Sequence, residues 1–237
     1  LHLCDRRQRQ MCIRDSVTAV ELGAQSTNDK VLAMNRRGHT REDIFRSARL
    51  LKERGFELGL QMMTGLYGSN DEDSIGTARD IISLSPDTAR IYPTVVIENT
   101  ELAELYRSGE YRPQTPEEAA LLCAKILPMF ERAGIKVIRL GLHSGGDVEG
   151  SFVAGAYHPA LREMCEGHIY FDIINKALSG KEKGKYIIYV APREISKASG
   201  QRRCNIEKLR ELGYECKIKE SAALSARDIT LEKVNLL

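Results

Sequence analysis

Two glutamines, a histidine and an arginine stand where a chain of this pattern would handle a ligand. Gln25 follows the apolar run Val17 to Leu22, and Gln61 lies near the end of the run Phe56 to Met63. His143 follows Ile135 to Leu140, inside Gly141-Leu142-His143-Ser144-Gly145-Gly146, and Arg37 lies in the segment that joins the first two runs. A glutamine amide offers both a donor and an acceptor and so suits a nucleoside, while the planar fork of an arginine suits a carboxylate. If the runs are parallel strands, ligands bind beyond their carboxyl ends, and these residues line one mouth. The plainer reading is that they only satisfy strand ends, and on pattern alone that reading is the stronger.

Other chemistries leave no trace. There is no GxxxxGK[ST] phosphate loop, no GxGxxG after a strand, no HExxH, no closely paired cysteines and no GxSxG elbow. No catalytic residue and no metal ligand is assigned. His39, His158 and His168 have no evident acid or nucleophile partner and read as capping or surface residues, and Cys204 and Cys216 read as packing or surface thiols.

The elements that position the glutamines alternate. After Val17 to Leu22, Asn28 to Arg36 reads as a short helix, and Thr40 with Asp43 three residues on imitates a capping box for the helix carrying Ile44, Phe45, Ala48 and Leu51. Phe56 to Met63 is the next strand. Asp71 or Asp73 can cap a helix reaching about Leu84, and Thr88 to Ile97 is a third strand. Thr115-Pro116-Glu117-Glu118 starts a helix ending at Gly134, before the strand Ile135 to Leu140. Strand and helix in alternation predict right-handed crossovers and a parallel sheet. Three or four such units form half a barrel or half an open sheet and cannot close alone, so an N-terminal part is expected to be missing.

Beyond Gly155 the pattern changes. Pro159 to Leu178 reads as a helix, Ser179 to Lys185 as a polar linker, Tyr186 to Val190 and Tyr214 to Lys219 as strands, and Asn205 to Leu212 as a helix. The expected organisation is a leader over 1–16, a barrel part with its following helix over 17–178, and a small α/β appendage over 179–237.

Composition bounds the rest. With 42% hydrophobic and 29% charged residues the chain reads as a soluble globular protein, and its net charge of +2 implies neither a nucleic-acid nor a membrane partner. No run is long enough to span a bilayer, and six scattered cysteines fit reduced thiols in a cytoplasm. The first residue is Leu1, and the basic segment Leu1 to Ser16 resembles adapter read-through; it is set aside as a non-native leader.

Several strings then resemble one family. Val20-Glu21-Leu22-Gly23-Ala24-Gln25-Ser26, Asn35-Arg36-Arg37-Gly38-His39-Thr40, Leu60-Gln61-Met62-Met63-Thr64-Gly65-Leu66, Ile91-Tyr92-Pro93-Thr94-Val95-Val96-Ile97, Thr100-Glu101-Leu102 and Gly109-Glu110-Tyr111 occur in order. Together they resemble the middle of radical S-adenosylmethionine enzymes, in the branch of the Elongator catalytic subunit and oxygen-independent coproporphyrinogen III oxidase. The resemblance runs from Val17 to about His143 and implies a partial (β/α) barrel that binds S-adenosylmethionine at its C-terminal mouth. It also implies a [4Fe–4S] cluster fed by a reductant such as ferredoxin or flavodoxin, and a deoxyadenosyl radical that abstracts hydrogen from a substrate. By the same resemblance Gln25, Arg37 and Gln61 are cofactor-binding positions, Gln61 matching an aspartate of the oxidase branch. The family's CxxxCxxC has no match, Cys4 and Cys12 having the wrong spacing, so no cluster is expected on this chain, which would be inactive by itself. The substrate is unknown, with tRNA the leading candidate.

The tail carries an alternative. Gly200-Gln201-Arg202-Arg203, after Val190 to Ser196 and before Cys204 to Leu209, resembles the GxxG loop of a KH RNA-binding module, with Arg203 in place of the second glycine. On that reading Arg202, Arg203 and Lys208 touch a phosphate backbone, and the protein binds RNA without radical chemistry. A small βαβ cap with a solvated basic loop is the plainer reading.

Overall fold

The computed structural model describes residues 17–142 and 150–234; the leader, His143 and the glycines after it lie outside the described residues. The chain divides into two compact units. The first reaches to Pro113 and resumes over Ile126–Gly155; the second is formed by Gln114–Lys125 and the chain from Ala156 onward.

The first unit is built on strands β1 (Ala19–Gln25), β2 (Glu57–Thr64), β3 (Thr88–Pro93) and β5 (Lys136–Leu140), with β4 (Val95–Ile97) between the last two in sequence. The sheet runs in the order β1-β2-β3-β5, and every pairing in it is parallel, as the alternation predicts. Its connections contain helices α1 (Asp29–Met34), α2 (Arg41–Glu53), α3 (Asp71–Ser83), α4 (Glu101–Ser108) and α5 (Pro116–Arg132), the unit boundary falling within α5. Thr40 and Asp43 do form the capping box of α2. For α3 the cap is Asn70, one residue before the expected aspartates, with Asp73 closing the box from the third helical position. An asparagine accepts the amide of that position as well as an aspartate does.

One expected strand is two. Thr94 interrupts Thr88 to Ile97 by donating its hydroxyl to the Thr64 carbonyl at 2.8 Å. β4 then leaves the sheet and pairs antiparallel with β6 (Phe152–Gly155).

The second unit corrects the expected boundary at 178. Helix α6 (Leu161–Leu178) was grouped by sequence with the barrel, yet its Tyr170, Ile174 and Leu178 share one core with Tyr186, Ile188 and Val190 of β7 (Gly184–Val190). That core also takes Ala198 of α7 (Ile195–Ser199), Ile206 and Leu209 of α8 (Cys204–Glu211), and Tyr214 and Cys216 of β8 (Tyr214–Glu220). An apolar stripe is buried against whichever sheet supplies the matching face, and here that is the C-terminal one. β7 pairs parallel with β8 and antiparallel with β9 (Ile229–Lys233), a strand too polar to announce itself. No helix among the described residues is long and apolar enough to cross a membrane.

Candidate functional site

Alternation gives the four-stranded sheet two unlike faces. Leu58, Leu60, Met62, Ala89 and Ile91 are fully buried on one, the face on which α2 and α3 pack. The other carries Glu21, Gln61, Met63, Arg90 and Tyr92, all at least partly exposed. Register sets Gly23, Gln61, Arg90 and Arg139 in one row across all four strands. Glu21 and Arg90 form an ion pair at 2.8 Å, and Arg90 Nη1 donates to the Tyr92 hydroxyl at 3.1 Å. The Tyr92 hydrogen bond, and then the Glu21 charge, raise the arginine pKa further.

Gln25 reaches this face by a backbone irregularity. The register slips between Gly23 and Gln25, leaving Ala24 as an extra residue. Gln25 takes the left-handed conformation at φ 63°. The Ser26 amide closes on the Ala24 carbonyl at 2.7 Å, and His39 Nε2 lies 3.2 Å from the same oxygen. The side chain therefore folds back over Gly23, where an added Cβ would meet Gln25 Nε2 at 2.4 Å. Its Oε1 is buried and has no hydrogen-bond partner among the described residues. The loop that follows is anchored to α3: the Thr27 amide donates to Thr77 Oγ1 at 3.1 Å, and Asn28 Nδ2 to Asp73 at 2.7 Å.

Arg37 reaches toward the same edge, its Nη2 lying 3.6 Å from Met63 Sδ. Gln61 shares the face with Met63, two residues along β2. Gln25, Gln61 and Arg37 are thus gathered at the carboxyl end of β1 and β2. Sequence reasoning passed over Glu21, Arg90 and Tyr92. The signal was present, since Arg90 and Tyr92 alternate with the buried Ala89 and Ile91, and Glu21 interrupts an otherwise apolar run.

S-adenosylmethionine fits this edge, because an orphaned buried carbonyl oxygen and a glycine-made recess suit a ligand that brings hydroxyl donors. A [4Fe–4S] cluster does not fit the described residues. Cys123, Cys165 and Cys216 are buried, burial pushes the Cys123 thiol up to about 12 and the Cys216 thiol up to about 11, and no group of three metal-ligating side chains occurs among the described residues. A cluster needs several thiolates in fixed geometry.

Arg202, Arg203 and Lys208 lie in the second unit. Arg202 and Arg203 are exposed and stand in the turn Gln201–Arg203 between α7 and α8. His168, read from the sequence as partnerless, pairs with Glu117 at 3.2 Å and is largely buried. The two residues are far apart in sequence, so their pairing was not legible there. His158 accepts from the Ala160 amide at 3.1 Å just ahead of α6, whose first amides have no side-chain cap.

The model of the radical SAM superfamily matches residues 12–81, and that of the radical SAM C-terminal domain matches residues 86–170. The tRNA uridine(34) acetyltransferase of Methanocaldococcus jannaschii is 36% identical over 135 residues, which are 54% of this chain and 25% of that protein. Elongator complex protein 3 of Homo sapiens is 32% identical over 135 residues, 53% of this chain and 24% of that one. The chain thus spans about a quarter of the length of these relatives. The structure of the archaeal Methanocaldococcus infernus Elp3 lacking residues 1–46 superposes with a TM-score of 0.57 at 28% identity, covering 74% of this chain and 40% of that one. Parallel sheet, family models and this structural likeness agree: the chain belongs to the radical SAM superfamily.

Proposed function

We propose that the polar sheet face binds S-adenosylmethionine at its carboxyl edge, as part of a radical S-adenosylmethionine enzyme that acts on RNA. The observation that carries the cofactor reading is the unpartnered, buried Gln25 Oε1 beside Gly23. A buried acceptor left unmade costs about 1–3 kcal/mol, and a ribose hydroxyl or the adenine amino group would satisfy it. Arg37 pairs with the methionyl carboxylate, and the Gln61 amide holds a second polar edge of the nucleoside. The Glu21 carboxylate offsets the Arg90 charge on this face.

Reductive cleavage of the sulfonium at a [4Fe–4S] cluster is the chemistry of the superfamily, and no described residue is given a step in it. The cluster, its reductant and a cytoplasmic setting rest on the family alone. RNA as the substrate class is supported by the relatives named as tRNA uridine(34) acetyltransferases. The test is calorimetric titration of S-adenosylmethionine into the wild-type chain and the Gln25→Leu and Arg37→Ala variants. Each variant is expected to bind about tenfold more weakly, the loss of one polar contact. Unchanged affinity for Gln25→Leu removes the assignment.

A further inference from the structure

We infer that the second unit carries a clamp for single-stranded RNA, formed by the loop Gly200-Gln201-Arg202-Arg203 and the hollow beside it. RNA as the class of partner rests on the function proposed above; the site itself rests on independent geometry. Around the loop the order is strand, helix, loop, helix, strand, from β7 through α7 and α8 to β8, with the two strands parallel neighbours. A tetrapeptide between two helices in such a βααβ unit is the arrangement by which KH modules hold a nucleic-acid backbone.

The departure from the GxxG pattern is conformational in name only. Gly200 has φ 74° and Arg203 has φ 65°, so the fourth residue keeps the backbone that favours glycine although an arginine stands there. Arg202 is left-handed as well, at φ 51°. Both guanidinium groups are exposed and have no acidic partner among the described residues, which leaves their donors for phosphate oxygens.

Beside the loop lies a hollow of about 280 Å³, lined from α8 by Cys204, Asn205 and Lys208, from the loop by Gln201, and from α6 by Met164 and His168. The His168 ring, held by Glu117, and the Met164 thioether offer the flat and soft surfaces against which a splayed base stacks. Lys208 stands over the Phe171 ring at 5.6 Å, at the rim. Charge agrees with this reading: residues 179–237 hold thirteen lysines and arginines against eight acidic residues, while the whole chain holds 35 against 33. Nearly neutral overall, the protein has an excess of positive charge in this C-terminal segment.

The test is fluorescence anisotropy of a labelled unstructured RNA of about a dozen nucleotides, long enough for the four-nucleotide footprint of such a loop, and of the same strand annealed to its complement. Both are titrated with wild-type chain and with the double variant Arg202→Gly/Arg203→Gly at two salt concentrations. Glycine suits the backbone of both positions, so the variant keeps its fold, which its thermal midpoint reports. The wild type is expected to bind the single strand in preference to the duplex. The variant is expected to lose about tenfold in affinity or more, with the salt slope falling by about 1.4 for two lost phosphate contacts. Equal binding of single strand and duplex, or an unchanged variant, overturns the clamp. S-adenosylmethionine titrated into the same variant keeps the two readings apart: it should bind as to the wild type, and loss of RNA affinity with cofactor affinity intact counts for the clamp alone.

Discussion

Glu21 on β1 and Arg90 on β3 meet at 2.8 Å across the intervening strand, over Gly59. A Cβ at Gly59 would lie 3.2 Å from Glu21 Cγ and 3.2 Å from Thr88 Oγ1, so the glycine is the gap through which the pair closes. Gly59→Val is therefore expected to destabilise the chain by about 1–3 kcal/mol, the usual cost of forcing volume into a filled space. Urea unfolding measures it, and an unchanged midpoint would show that the face has slack.

Gly23 is the opposite case, because the atom its Cβ would strike is the far end of a flexible side chain. Gly23→Ala is expected to unfold within about 1 kcal/mol of the wild type while displacing the Gln25 amide from its recess. Cofactor affinity should fall as far as in Gln25→Leu, and titration beside urea unfolding separates the two effects.

In the second unit Asn205 is 1% exposed and its amide donates to the Gly167 carbonyl at 2.8 Å and the Ala198 carbonyl at 3.1 Å. It ties α8 to α6 and α7 around the basic loop. Asn205→Ala leaves two carbonyls without that donor and is expected to cost about 2–3 kcal/mol. Hydrogen exchange should show the amides of α7 and α8 exposed first.

The alternation of strands and helices carried the parallel sheet, because buried parallel strands are apolar runs closed by glycine and their crossovers are amphipathic. The same signal failed at Thr94, whose hydroxyl bond to another strand's carbonyl ends a strand that its own sequence would continue. It failed at α6, because periodicity says that Tyr170, Ile174 and Leu178 share a stripe but not which sheet they meet. Gln25, Gln61 and Arg37 were singled out in the sequence by type and place. Glu21, Arg90 and Tyr92 carried a signal in their alternation, but that they meet is set by a register across three strands.

Stability of the second unit should depend on pH at both ends. Burial alone would raise Glu194, but hydrogen bonds from Lys197 and Tyr170 outweigh it and hold the carboxyl below its ordinary 4.5. A depressed carboxylate stabilises the fold above its unfolded value and loses that contribution as pH falls through the folded value. Burial likewise opposes the charge on Lys197, and bonds to Glu166 and Glu194 raise it above 10.5 nonetheless. That contribution is complete below 10.5 and is lost as pH rises through the folded value. Glu166 is almost wholly buried and accepts Lys197 at 2.7 Å and Arg162 at 3.0 Å. Lys197→Met should cost about 2–3 kcal/mol at neutral pH, and its difference from the wild type should shrink at both extremes.

Adjacent methionines on opposite sides of β2 give the most direct test. Met62 is fully buried under the helices, whereas Met63 lies on the polar face within 3.6 Å of Arg37. With methionine methyl groups labelled, S-adenosylmethionine added in an NMR titration should shift the Met63 resonance and leave Met62 and Met164 where they are. A response confined to Met62 or Met164, or none from Met63 at saturation, would contradict a cofactor held at this edge of the sheet.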